Sequence, residues 1–183
     1  QGKADMVRGM DEMSDTQSIF GLTLNGLDWA AWSERLRETD PEDGFVEPLG
    51  PDHTAVFLEN KPILLVSFES LEQVQRVSPE ARPMGWEIAK ALGWSSLALV
   101  SNGDTWFRDR RVIGFFDRMI DDGFFEDFDQ VIFYGCGPSG YAACAFSVAA
   151  PGAEVLALHP QATLDPRLAE WDDRFREMRR TDF

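Results

Sequence analysis

With 183 residues and a formal net charge of −15, the chain has the length of one domain, with room for about five strands and as many helices. That charge argues against nucleic acid and anionic membranes as partners, since both call for a basic face. No apolar run reaches the length of a bilayer span and no signal-peptide pattern opens the sequence, so a cytoplasmic protein is expected.

Residues 1–18 are polar and aperiodic and read as a mobile N-terminal arm, with 19–183 as a single domain. Leu27, Ala30, Ala31 and Leu36, with Trp29 and Trp32, mark an amphipathic helix over 28–38, ended by Asp40-Pro41-Glu42-Asp43-Gly44. Residues 54–58 and 62–68 read as two apolar strands, joined by Glu59-Asn60-Lys61 at the spacing of a hairpin. A helix over 86–92 stops at Gly93, a strand follows over 95–100, and Ser101-Asn102-Gly103-Asp104 is its exit loop. Val112, Phe115, Phe116, Met119 and Ile120 form the stripe of a helix over 107–120. A strand from Val131, a Gly-rich turn and a helix to Ala150 come next. A strand over 154–158 and a charged helix over 166–179 close the chain, the latter exposing Asp172, Asp173, Arg174 and Arg176 as a solvated face.

Strands that alternate with helices imply a mostly parallel sheet in a three-layer α/β sandwich, opened by an antiparallel hairpin. Right-handed crossovers then line the strand C-terminal ends along one edge, where ligands bind. Ser67, Phe68 and Glu69, then Asn102, Asp104 and Trp106, the Gly-rich turn, and His159 with Gln161 fall on that edge. Cys136 and Cys144 read as buried thiols in a reducing compartment, not as a disulfide pair.

The turn itself, Val131-Ile132-Phe133-Tyr134-Gly135-Cys136-Gly137-Pro138-Ser139-Gly140, admits two chemistries. Gly135, Gly137 and Gly140 spell G-x-G-x-x-G between a strand and a helix, the context for FAD or NAD binding. That fingerprint asks for an acid after the next strand, where this chain has His159-Pro160. The other reading is a nucleophile elbow, G-x-nucleophile-x-G. Laid over residues 135–139, it puts Gly137 at the nucleophile and Pro138, which has no N–H, at the oxyanion donor. A shifted register makes Ser139 the nucleophile but puts bulky Tyr141 where a small residue is wanted.

Tyr134-Gly135-x-x-x-x-Gly140-Tyr141-Ala142-Ala143 resembles the elbow of α/β-hydrolase-like proteins that read YGSSMGGYAA, many of them linked to capsule or surface-polysaccharide genes. Gly103-Asp104-Thr105-Trp106-Phe107 is similar to their tryptophan loop, and Pro160-Gln161 with Leu164-Asp165-Pro166 to their S-P-Q segment. The resemblance covers residues 54–180 and implies an α/β-hydrolase-like fold. Carried over by residue, the first elbow Ser becomes Cys136, the nucleophile becomes Gly137, and the Met-Gly pair becomes Pro138 and Ser139. Such hydrolases add two more strands carrying the acid and histidine, so this sequence reads as a piece of a longer protein or as a minimal, non-hydrolytic fold.

The expected function is a degenerate hydrolase-like domain that binds a small or carbohydrate-derived ligand. Its site would use Gly135, Cys136, Gly137, Gly140, Ser67, Phe68, Asp104, Trp106 and Gln161. An ester or acyl hydrolase using Ser139 and His159 is the enzymatic alternative, and an FAD or NAD domain the third. No metal site is expected, nor any cofactor in the leading reading. The last strand, over 154–158, would leave an apolar edge, covered by a homodimer contact, by further chain, or by the arm with Trp29 and Trp32.

Overall fold

The computed structural model describes residues 19–39 and 41–180, so the expected arm lies outside the described residues. Among the described residues, largely apolar runs form six strands: β1 (Gly44–Pro48), β2 (His53–Leu58), β3 (Ile63–Ser70), β4 (Ser95–Ser101), β5 (Gln130–Cys136) and β6 (Glu154–Leu158). Five α-helices flank them: α1 (Trp29–Arg37), α2 (Leu71–Val77), α3 (Met84–Leu92), α4 (Arg110–Asp121) and α5 (Pro138–Phe146). The strands make one mixed sheet in the order β1-β2-β4-β3-β5-β6. β3, β4, β5 and β6 run parallel, while β2 is antiparallel to both β1 and β4. This is the expected α/β sandwich, opened by an antiparallel hairpin.

The hairpin, however, is β1–β2, not the pairing of residues 54–58 with 62–68. Between β2 and β3 the sheet inserts β4, and the short link at 59–62 crosses beneath the start of that strand. There the Asn60 amide donates to Ser95 Oγ at 2.7 Å. Both β2 and β3 are almost wholly buried, so each needs a neighbour on either side. β1 is brief and bounded by Gly44 and Pro48, which hid it in the sequence. Gly44 is required there, since a Cβ would stand 2.0 Å from the Phe57 carbonyl oxygen.

α2 was also not expected. A capping box makes it: Ser70 Oγ accepts from the Gln73 amide, and Gln73 Oε1 accepts from the Ser70 amide. Conversely, the helix expected over 166–179 is absent. Turns and a short 3-10 segment at Met178–Arg180 replace it. Asp165 and Asp172 accept from the amides of Arg167 and Arg174, local bonds that compete with a helical ladder. Phe175 adopts φ 59°, which a helix cannot contain. Of the expected solvated run, Asp172 is buried, while Asp173, Arg174 and Arg176 are exposed on turns and irregular chain and not on a helix face.

Two cores lie on opposite faces of the sheet. Phe68, Phe107, Phe115, Phe116 and Phe133 pack with Ala142 and Ala143 beneath α4 and α5. Val56, Ala98 and Val100 pack with Trp32, Leu36, Leu71, Val74 and Trp86 from α1, α2 and α3. The second layer stops short of β5 and β6. Along β5, Val131 and Phe133 are buried, whereas Ile132, Tyr134 and Cys136 alternate with them half-buried. On the edge strand β6, Leu156 is 53% and Leu158 42% exposed. Cys144 is exposed on α5, because Ala142 and Ala143 take the buried side of that helix. With Cys136 half-buried, the expected burial of both thiols does not hold.

Candidate functional site

The parallel order β4-β3-β5 contains a topological switch. β3 leads into α2 and α3 on one face, and β5 leads into α5 on the other. In open α/β sheets the crevice between two such strand ends is where ligands are held. Here it lies between Glu69-Ser70 and Cys136-Gly137. In register, Ser67 stands beside Tyr134. Alternation puts Glu69 and Cys136 on that same face, one step nearer the crevice.

The glycines of the turn have separate roles. Gly135 and Gly140 allow close packing: a Cβ on Gly135 would lie 2.1 Å from the Ser139 carbonyl oxygen, and one on Gly140 would lie 3.1 Å from the Gly135 oxygen. Gly137 instead supplies conformation, with φ 60° and ψ −126°, a region that side-chain-bearing residues rarely enter. A Cβ built there meets nothing within 4 Å. The Gly137 amide donates to the Leu158 carbonyl at 2.8 Å, which ties the turn to the end of β6. Pro138 then opens α5 without an N–H to offer.

Glu69 is a buried acid at the crevice and was not among the expected binding residues. It is 7% exposed. Ser67 Oγ donates to Oε1 at 3.1 Å, the Met84 amide donates to Oε2 at 3.0 Å, and the Gly85 amide also donates to the carboxylate. Met84 and Gly85 open α3, whose N-cap, Pro83, has no capping side chain, so Glu69 acts as the cap from the end of β3. Burial drives its pKa up from 4.5, against the lowering effect of these three donors. Tyr134 is raised as well, by burial first, then by Glu69 and Cys136. Gly85 fits α3 onto this patch: a Cβ would stand 2.7 Å from Ser67 Oγ.

The remaining expected residues divide by burial. Ser139 is 3% exposed, and its hydroxyl donates to Gln73 Oε1 at 3.4 Å, which bridges α5 and α2 across the crevice. His159 is exposed with φ 48°, and no hydrogen bond joins it to Ser139. Phe68 lies in an aromatic stack with Phe116, Phe133 and Phe146. Trp106, with φ 57°, is buried between Tyr141 and Phe175, ring centroids at 5.3 and 4.8 Å. Asp104 is exposed. Gln161 donates to Asp172 Oδ2 at 2.9 Å and so anchors the C-terminal segment. Arg174 and, after it, Gln161 hold the Asp172 carboxyl well below the usual range.

His53 lies at the same edge, beside the end of β4, with Nε2 2.7 Å from Thr105 Oγ1. Burial lowers its pKa, opposed by Asp109 and Asp52. Among the described residues, no group of three or more His, Cys, Asp or Glu side chains could hold a metal ion.

No protein family matches the chain, and no curated protein resembles it in sequence. Among solved structures, one described as the Glycosylation Associate Protein (Gap123) complex from Streptococcus agalactiae is similar at 17% identity and a TM-score of 0.48. The match covers 72% of this chain and 26% of that one, so the chain spans about a quarter of that protein's length.

Gly135→Ala forces a methyl group into backbone and is expected to destabilise the fold by more than about 3 kcal/mol. Gly137→Ala meets only backbone strain and is expected to cost about 1–3 kcal/mol, both read by urea denaturation. For Glu69, a raised carboxyl pKa means the folded state holds the proton longer than the unfolded chain does. Its contribution is therefore full below pH 4.5 and is lost as pH rises through the higher folded value. Stability of Glu69→Gln relative to the parent should rise with pH across that window, by at most about 1.4 kcal/mol per pH unit. A constant difference across the window would show that the carboxyl titrates normally.

Proposed function

We propose that this protein is a degenerate α/β-hydrolase-like domain that binds a small or carbohydrate-derived ligand at the β3–β5 crevice without hydrolysing it. The observation that carries this is Gly137: the turn bends as an elbow does, yet its apex has no side chain. Pro138 also removes the backbone N–H that would stabilise an oxyanion. The polar groups that do converge, from Glu69, Gln73, Tyr134 and Ser139, suit hydrogen bonding to a ligand better than attack on one. A fluorophosphonate probe is expected to leave the protein unlabelled. Covalent labelling at Ser139, lost in His159→Ala, would instead establish the hydrolase.

We further propose a cytoplasmic homodimer formed through β6. Among the described residues no strand pairs with its outer edge, and antiparallel self-pairing centred on Leu156 sets Glu154 opposite Leu158, so no like charges face each other. Two unpaired thiols fit a reducing compartment. Among the described residues, no helix is long and apolar enough to cross a membrane. Light scattering should give twice the chain mass, and Leu156→Lys should return it to the monomer value. A monomeric parent protein would overturn the pairing.

A further inference from the structure

Beside the crevice, α2 and α3 enclose a hollow of about 340 Å³, with Glu69 among the residues that line it. Its walls are apolar where Val74, Val77 and Met84 line it. The acid has an unusual set of partners. A carboxylate offers about four acceptor positions, and among the described residues the donors to Glu69 are one hydroxyl and two backbone amides, all of them neutral. A buried carboxylate without a compensating cation must take up a proton or wait for a positive partner. Glu80 and Glu87 also line the hollow, and Arg82 forms ion pairs with both, at 3.3 and 3.4 Å. One guanidinium is thus shared by two carboxylates before Glu69 is counted, which leaves the hollow negative.

We infer that this hollow is a binding site for a small organic ammonium, its charged head against Glu69 and its short apolar body against Val74, Val77 and Met84. The site rests on the reading of this sheet edge as one that binds a ligand. Three of about four acceptor positions on Glu69 are filled, and an ammonium, which has donors and no acceptor, suits the one left open. The volume lies at the small end of ligand pockets, so a head group with a chain of a few carbons fills it. A carboxylate ligand would meet three acids, and a neutral alcohol would gain no charge complementarity.

The test is titration of the folded protein with n-butylammonium, n-butanol and n-butyrate, followed by the methyl resonance of Met84 at the wall. Butylammonium is expected to shift that resonance saturably and to bind at least about tenfold more tightly than the other two, about 1.4 kcal/mol. Glu69→Gln should remove that preference. Val77→Trp, at a position 69% exposed and therefore tolerant of bulk, should block all three ligands while the protein stays folded. Equal affinity for the three probes, no saturable shift with any, or an ammonium preference that survives Glu69→Gln would each overturn the site. The fluorophosphonate result is independent: labelling at Ser139 with ammonium selectivity intact would refute the non-hydrolytic reading and leave the cation site standing.

Discussion

α5 rests on the end of β5 so closely that Gly135 has no room for even a methyl group, 2.1 Å from the Ser139 carbonyl oxygen. That contact sets the position of everything at the crevice. It brings Ser139 within reach of Gln73, fixes where Gly137 must reverse the chain, and lets the Gly137 amide find the Leu158 carbonyl. A strand-to-helix turn with a larger residue at 135 would hold the helix off the sheet and separate the two walls of the crevice. The same principle governs the opposite wall. Gly85 seats α3 over Ser67 and Ser96, and this seating delivers the first amides of α3 to Glu69.

Glu69 links stability to the site. α3 begins at a proline that cannot cap it, and its orphan amides find a carboxylate from a neighbouring strand. The helix start favours negative charge, but burial of the carboxyl favours the proton, and burial wins. A purely structural cap could have been a serine or aspartate at the helix N-cap itself, at less cost in desolvation. The acid instead sits at a strand end, on the face that looks into the crevice.

Much of this arrangement could be read before the structure, and the failures share a cause. Residues 154–158 form β6 as expected, and the strand over 95–100 gains only Ser101, because both are continuous apolar runs with clear boundaries. β1 was obscured by its length and by the flanking Gly44 and Pro48. α2 had a legible mark in the S-x-x-Q spacing of Ser70 and Gln73, but seven residues carry too little periodicity to announce a helix. The false hairpin came from loop length alone. Two buried strands joined by a short link look adjacent, and only the burial of both sides of β2 and β3 shows that β4 must lie between them. Charge spacing over 166–179 resembled a helix face, while the local pairing of Asp165 and Asp172 with following amides favoured turns. The glycines of the site were legible as a motif. Glu69 was visible as a lone acid in a buried strand, but its capping partners lie some fifteen residues away on α3 and could not be read from spacing.

The conformation of Gly137 bears on how this turn came to be as it is. A residue with a side chain at φ 60° and ψ −126° stores strain of about 1–3 kcal/mol, which persists only where the surroundings enforce it. Here the surroundings do enforce the bend, through the Gly135–Ser139 packing and the amide bond to Leu158. Glycine at the apex relaxes that strain, and the space its side chain would occupy stays open. A turn that needed only to join a strand to a helix could be wider and carry a residue with N–H after the apex. This one keeps the tight path, with Pro138 preorganised for the first helical position. The geometry therefore serves the crevice it shapes: it places Cys136, Ser139 and the start of α5 against Glu69 and Gln73, and it does so without a reactive group at the apex.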